Sequence, residues 1–148
     1  MQLRAHGLNV RVPRAWDARI YRRPPEEEDE RTFAIIHAGT FPLPRDRGDY
    51  GSGAVDVMGP DDVFVSLLEQ DPEAVGTPLF RERGLPRIKA SDFSSGALQR
   101  TLTGQSGCQY FFSTDRRAFC LYVVLGSHAR RVRLVPKARE LVRGLAIS

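Results

Sequence analysis

Cys108-Gln-Tyr-Phe-Phe-Ser113, Thr114-Asp115-Arg116 and Ala118-Phe-Cys-Leu-Tyr-Val-Val-Leu125 make up the stretch on which the fold turns. The two flanks are dense in aromatic and β-branched residues, the types that suit a pleated, half-buried surface. The polar Thr114–Arg116 connection has the length of a hairpin loop, here three residues. Beyond Gly126, the apolar residues Leu134, Val135, Ala138, Leu141, Val142 and Leu145 recur at helical spacing, and Gly144 supplies a stop signal. An aromatic hairpin that runs into an amphipathic helix predicts a sheet with a helix laid across it.

Working outward, Leu8-Asn-Val-Arg-Val12 alternates apolar and polar residues and reads as a first strand. Pro13-Arg-Ala15 then makes a turn, and Trp16-Asp-Ala-Arg-Ile-Tyr-Arg22 is the expected return strand. Phe33-Ala-Ile-Ile-His-Ala38 is apolar on both faces, which places it inside a sheet. Ala54-Val-Asp-Val-Met58 is expected as a short strand, followed by a Gly59-Pro-Asp-Asp62 turn. Asp62-Val-Phe-Val-Ser-Leu-Leu-Glu69 fits a strand or an Asp-capped helix. Val63, Phe64 and Val65 disfavour a first helical turn, so strand is the expectation. Asp71-Pro72 predicts a single capped turn of helix. Residues 77–107 carry no long apolar pattern, and Phe80, Leu85, Ile88, Phe93 and Leu98 are the anchors that pin them to the sheet. With no internal repeat, the 148 residues form one domain of α+β class: an antiparallel sheet covered by a C-terminal helix and short helices.

Composition narrows the function classes. No apolar run approaches the ~18 residues of a membrane span. Met1-Gln-Leu-Arg-Ala-His-Gly7 contains no apolar core of the secretory kind, so the expected compartment is the cytoplasm, with both cysteines reduced. The net charge of +4 invites a nucleic-acid reading. Lys89 and Lys137 are the only lysines among 22 basic residues, a skew that GC-rich coding produces, and the arginines are interleaved with acids. A nucleic-acid partner is therefore not expected. The compact basic group Arg130, Arg131 and Arg133 reads first as a solvated face. Pro24-Pro-Glu-Glu-Glu-Asp-Glu30 is a run of like charge that resists packing and reads as an exposed loop.

The motifs that carry chemistry are missing. Gly51-Ser-Gly53 and Gly104-Gln-Ser-Gly107 lack the following Lys-Ser/Thr of a phosphate loop, and Ser106 has no nucleophile-elbow frame. His6, His37 and His128 are far apart, and no Cys-x-x-Cys occurs, so neither a metal nor a cofactor is implied. His37 reads as a hydrogen-bonded histidine of the core or sheet edge. Cys108 and Cys120 are expected on one face of the hairpin as diagonal neighbours, packed as small hydrophobes. Asp61 and Asp62 fit the side-chain-to-backbone bonds of their turn.

Two segments carry a family resemblance. The sequence from Leu8 to Trp16, a strand, a proline and a tryptophan that starts the next strand, resembles the opening of PsbP-like domains. Arg117-Ala-Phe-Cys-Leu-Tyr-Val-Val-Leu-Gly126, with the helix through Leu145, is similar to that family's last strands and closing helix. Ala15 stands where the family more often has a glycine. The resemblance implies an α/β/α sandwich and a non-catalytic binding or assembly role, with no catalytic residues to carry over.

Three functions follow as expectations. The first is non-catalytic binding of a protein partner through loops or a sheet face. Arg45, Arg47, Asp49 and Tyr50 of the loop 40–53 are its contacts, with Arg130, Arg131 and Arg133 as a second patch. The second is a small-molecule or lipid pocket under residues 77–107, lined by Phe80, Phe93, Phe111 and Tyr122. The third is a Cys/His-dependent enzyme that uses Cys108, or Cys120 with His37.

Overall fold

The computed structural model describes residues 1–148. It has eight strands, β1 Gln2–Ala5, β2 Leu8–Arg11, β3 Asp17–Tyr21, β4 Ile35–Gly39, β5 Val63–Gln70, β6 Ser106–Thr114, β7 Arg117–Leu125 and β8 Leu145–Ile147, and one helix, α1 Arg131–Arg143. Short 3₁₀ turns punctuate the loops. The strands form two antiparallel sheets, one of three strands in the order β1-β2-β8 and one of five in the order β3-β4-β5-β7-β6. No helix is long and apolar enough to cross a membrane.

The pleat of the large sheet sorts its side chains onto two cores. On one face Ile36, Ala38, Val63, Val65, Leu67, Phe119, Leu121, Val123 and Leu125 meet α1, through Leu134, Val135, Ala138, Leu141 and Val142, and the small sheet, through Leu8, Val10 and Leu145. On the other, Ile35, Phe64, Leu68, Cys120, Tyr122 and Val124 are covered by Phe41, Ala54 and Val55. β7 has every residue but Arg117 buried, which is why its sequence shows no alternation. The order of covering layer, sheet and covering layer is the expected α+β arrangement.

Several local expectations change. The strand at Leu8 does not pair with the one at Asp17. It pairs backwards with β1 through a two-residue turn in which His6 and Gly7 both have positive φ, 53° and 75°, as a type I′ hairpin requires. Asp17–Tyr21 crosses to the large sheet and pairs with β4. Ala15, between the two, takes φ 70°. Val55–Val57 is a 3₁₀ turn and not a strand, because Ala54 and Val55 both bond back to the carbonyl of Gly51. The late hairpin closes Thr114 on Arg117, a two-residue loop with Asp115 at φ 51°. Leu145 lies past the end of α1, in β8, where its strand pairs with β2. The register pairs Cys108 with Val123 and Phe111 with Cys120, so the cysteines fall on opposite faces of the sheet rather than on one.

One side chain joins the two sheets. Arg117 grips both carboxylate oxygens of Glu69 at 2.8 and 2.9 Å. Its remaining N–H groups reach the carbonyls of His6, Gly7 and Ser148. All five guanidinium donors are thereby spent, on the first hairpin turn, the chain end and β5. Both partners are mostly buried, so removing one leaves a carboxylate and three carbonyls short of donors. Arg117→Leu is expected to lower the free energy of unfolding by about 3 kcal/mol, read as a drop in the urea midpoint at unchanged slope.

Candidate functional site

The loop 40–53 is tied down by a polar network built on the fully buried His37. The His37 ring lies between three groups: Arg47 Nε donates to Nδ1 at 2.9 Å, the Asp49 carbonyl sits 2.8 Å from Nε2, and the Tyr21 hydroxyl is 3.3 Å away. An acceptor at Nδ1 and a donor at Nε2 define the neutral Nε2–H tautomer. Asp49 accepts from the Tyr21 hydroxyl and from Arg23, and its carbonyl also accepts from Ser66. At Gly51, φ is 88° and an added Cβ would lie 2.3 Å from the Phe64 ring, so the chain crosses the sheet here only as glycine. Burial, with Arg47 close by, holds His37 down to about 4, while burial and the neighbouring Asp49 carboxylate raise the Tyr21 hydroxyl well above its ordinary value.

Of the four loop residues expected as partner contacts, Arg47 and Asp49 are thus turned inward as loop anchors. Tyr50 packs edge-on against Tyr122 at 5.6 Å. Arg45 alone points to solvent, with no partner side chain. In the second expected patch Arg130 and Arg133 share a single carboxylate, Asp61, while Arg131 bonds to the His128 carbonyl. The two arginines pull the Asp61 carboxyl below its usual range. Asp62 keeps its turn role, accepting from the Gly59 amide at 2.8 Å.

The four aromatics expected to line one pocket diverge. Phe80 and Phe111 pack edge to face at 5.6 Å. Phe93 belongs to the helix-side core and Tyr122 to the opposite one, where the Tyr122 hydroxyl accepts from the Gln99 amide. Nor do Cys120 and His37 meet. His37 lies opposite Ser66, and Ser66 opposite Tyr122. Cys120 is therefore two strands away and two residues along, roughly 12 Å at ordinary strand spacings. Burial pushes both thiols up to about 12, so neither is a thiolate at neutral pH. No three His, Cys, Asp or Glu side chains converge as metal ligands would.

A row of unpaired backbone groups lies at the edge of β6. With Thr114 closing on Arg117, the alternation of an antiparallel ladder turns Cys108, Tyr110 and Phe112 toward β7 and the backbone groups of Gly107, Gln109, Phe111 and Ser113 outward. Two of these four are met by the preceding segment. Ser113 bonds to Glu82 and Gly84, and Gly107 exchanges two bonds of 3.0 Å with Ser94. Between the two bridges, residues 85–93 swing to the helix side. Ile88 is buried there, and Tyr110 is held by Asp92 at 2.7 Å and by the Lys89 amide. The N–H and C=O groups of Gln109 and Phe111 are left facing a groove of about 570 Å³. Arg83, Leu85, Pro86, Arg87 and Lys89 form its outer wall. Sequence reasoning missed this edge because nothing in Gln109-Tyr-Phe111 says which side of a strand is free.

Comparison with protein-family models, with curated proteins and with solved structures finds no match.

Two measurements check the site. The unfolded chain protonates His37 near 6.5 and the folded chain only near 4. Between those values the unfolded state binds more protons, so this contribution is complete above pH 6.5 and is lost as pH falls toward 4. The stability gap between the native protein and His37→Gln should narrow by roughly 2 kcal/mol between pH 7 and pH 4.5, followed by urea unfolding at each pH. In the native protein Ellman's reagent should titrate neither buried cysteine; in guanidinium chloride it should titrate both.

Proposed function

We propose that this chain is a non-catalytic cytoplasmic binding protein that takes an extended segment of a partner protein as an added strand on the free edge of β6. The observation that carries the reading is the pair of residues Gln109 and Phe111, whose backbone donors and acceptors face solvent between two bridges that occupy the rest of the edge. Strand addition uses such an edge: main-chain bonds give affinity and the walls of the groove give selectivity.

The other edges suit this role less well. β3 carries the Asp17–Arg19 ion pair along its length and runs into Arg22 and Arg23, the charged guarding that keeps an edge from pairing. The small sheet ends in strands of four and three residues. A binding role also agrees with the thiols held protonated and away from His37, and with the role that the resemblance to PsbP-like domains implies.

Three residues of an incoming strand satisfy all four backbone groups. Four such bonds at about 1 kcal/mol each correspond to a dissociation constant near millimolar. Selective binding therefore draws on side chains at the groove as well.

Gln109→Pro is the direct test. Proline removes only an outward N–H at this position, because the ladder to β7 runs through Cys108 and Tyr110. The native chain, used as bait in a lysate of its source cells, should retain a partner that slows amide exchange at Gln109 and Phe111. Gln109→Pro should lose that partner while unfolding within about 1 kcal/mol of the native chain. Equal retention by both baits would contradict the proposal.

A further inference from the structure

We infer that the added strand is acidic, and that one of its carboxylates falls into an arginine-lined recess beside the β6 groove. The inference rests on the strand-addition reading above and specifies the partner's chemistry. A second hollow of about 280 Å³ shares Pro86 and Arg87 with the groove and is lined beyond them by Ile88, Arg139, Val142 and Arg143. Two elements, the loop 85–93 and the last turns of α1, thus bring three guanidinium groups around one space, with Arg83 and Lys89 further along the groove.

None of these five cations is in an ion pair. At the other end of α1 the contrast is plain, since Arg130 and Arg133 share Asp61. The acids near the groove and the recess are Glu82, Asp92 and Glu140. Asp92 is spent on the Tyr110 hydroxyl, and neither glutamate is in an ion pair. A cation in the last turn of a helix ordinarily complements the helix dipole. That accounts for Arg143, but not for Arg87, which comes from another element, nor for the direction of Arg139. Its Nε donates to the Ile88 carbonyl at 2.7 Å, which fixes the half-buried side chain and leaves both terminal nitrogens for a ligand. A guanidinium held in this way presents the fork geometry that matches a carboxylate.

Strand geometry connects the two features. Residues of an added strand that bond to Gln109 and Phe111 alternate their side chains between the two faces of the sheet. One set therefore points to the helix side, where Arg87 and Arg139 stand. Acidic residues at alternate positions place a carboxylate there while the backbone pairs with β6.

The test uses an acetylated, amidated heptapeptide of alternating valine and glutamate, its valine/glutamine counterpart, and the full chain labelled with nitrogen-15. The glutamate peptide should shift the amide resonances of Gln109 and Phe111 and bind at least tenfold more tightly than the glutamine peptide at low salt. Arg87→Gln with Arg143→Gln, both exposed positions, should remove that preference while lowering the melting temperature by no more than a few degrees, the share of Arg143 at the helix end. If both peptides shift the two amides with equal affinity, the acidic specificity is wrong and strand addition stands. If neither peptide shifts them, strand addition fails and the inference goes with it. Inorganic phosphate that shifts the Arg139 side chain, with no peptide effect at the edge, would make the recess a small-anion site and overturn the inference. Tighter binding of a single-stranded oligonucleotide than of the glutamate peptide, with both arginines required, would overturn it in favour of a nucleic acid.

Discussion

A strand has hydrogen-bonding groups on two sides, and a sheet can satisfy both sides only for its inner strands. In this protein the five-stranded sheet is buried on both faces, by α1 and the small sheet on one and by the loop 40–53 with its following turn on the other. Its faces are therefore largely covered, and its unpaired backbone groups lie at the edges. Guarding differs sharply between its two edges: charges line β3, whereas β6 is covered by bonded segments at both ends and bare between them. Backbone amides left in this state are either solvated or paired with another chain. The proposed binding role rests on that constraint more than on any single side chain.

Two buried polar clusters make the closed faces possible. Arg117 uses its whole guanidinium to join β5, the first hairpin and the chain end, which fixes the small sheet as part of one core layer. His37 does the equivalent on the other face, where Arg47 and Asp49 fold inward to reach it. Both replace backbone ladder bonds where the chain runs as a loop, and both are well satisfied, as buried polar groups must be to be tolerated. The loop that looked like a binding surface is therefore a lid on the sheet, and its polar residues are consumed in closing it.

Much of this architecture was legible in the residues, and the exceptions have physical causes. Ile35–Gly39 and Arg117–Leu125 are nearly continuous apolar runs because they lie inside the sheet. Val63–Gln70 is a strand because its valines and phenylalanine resist a helical turn. The first hairpin was not legible, since His6-Gly7 is an uncommon carrier of a type I′ turn and β1 alternates too briefly to stand out. Val55–Val57 resembled a strand locally but is governed by the bonds to Gly51 and the packing of Val55 under the sheet. Among the candidate contacts, the types of Arg47, Asp49 and Tyr50 suited a binding surface, yet only the position of His37 beneath them shows where they turn. The free edge and the arginine recess depend on how residues 82–94 run past β6, and that path has no local sequence signal.

Amide hydrogen exchange of the free protein, resolved residue by residue along β6, tests the open edge most directly. Gln109 and Phe111 should exchange quickly while Cys108, Tyr110 and Phe112, bonded to β7, remain protected to the level of global unfolding. Exchange at Gln109 and Phe111 as slow as at their neighbours would mean that the edge is closed within the chain, and would contradict the proposal.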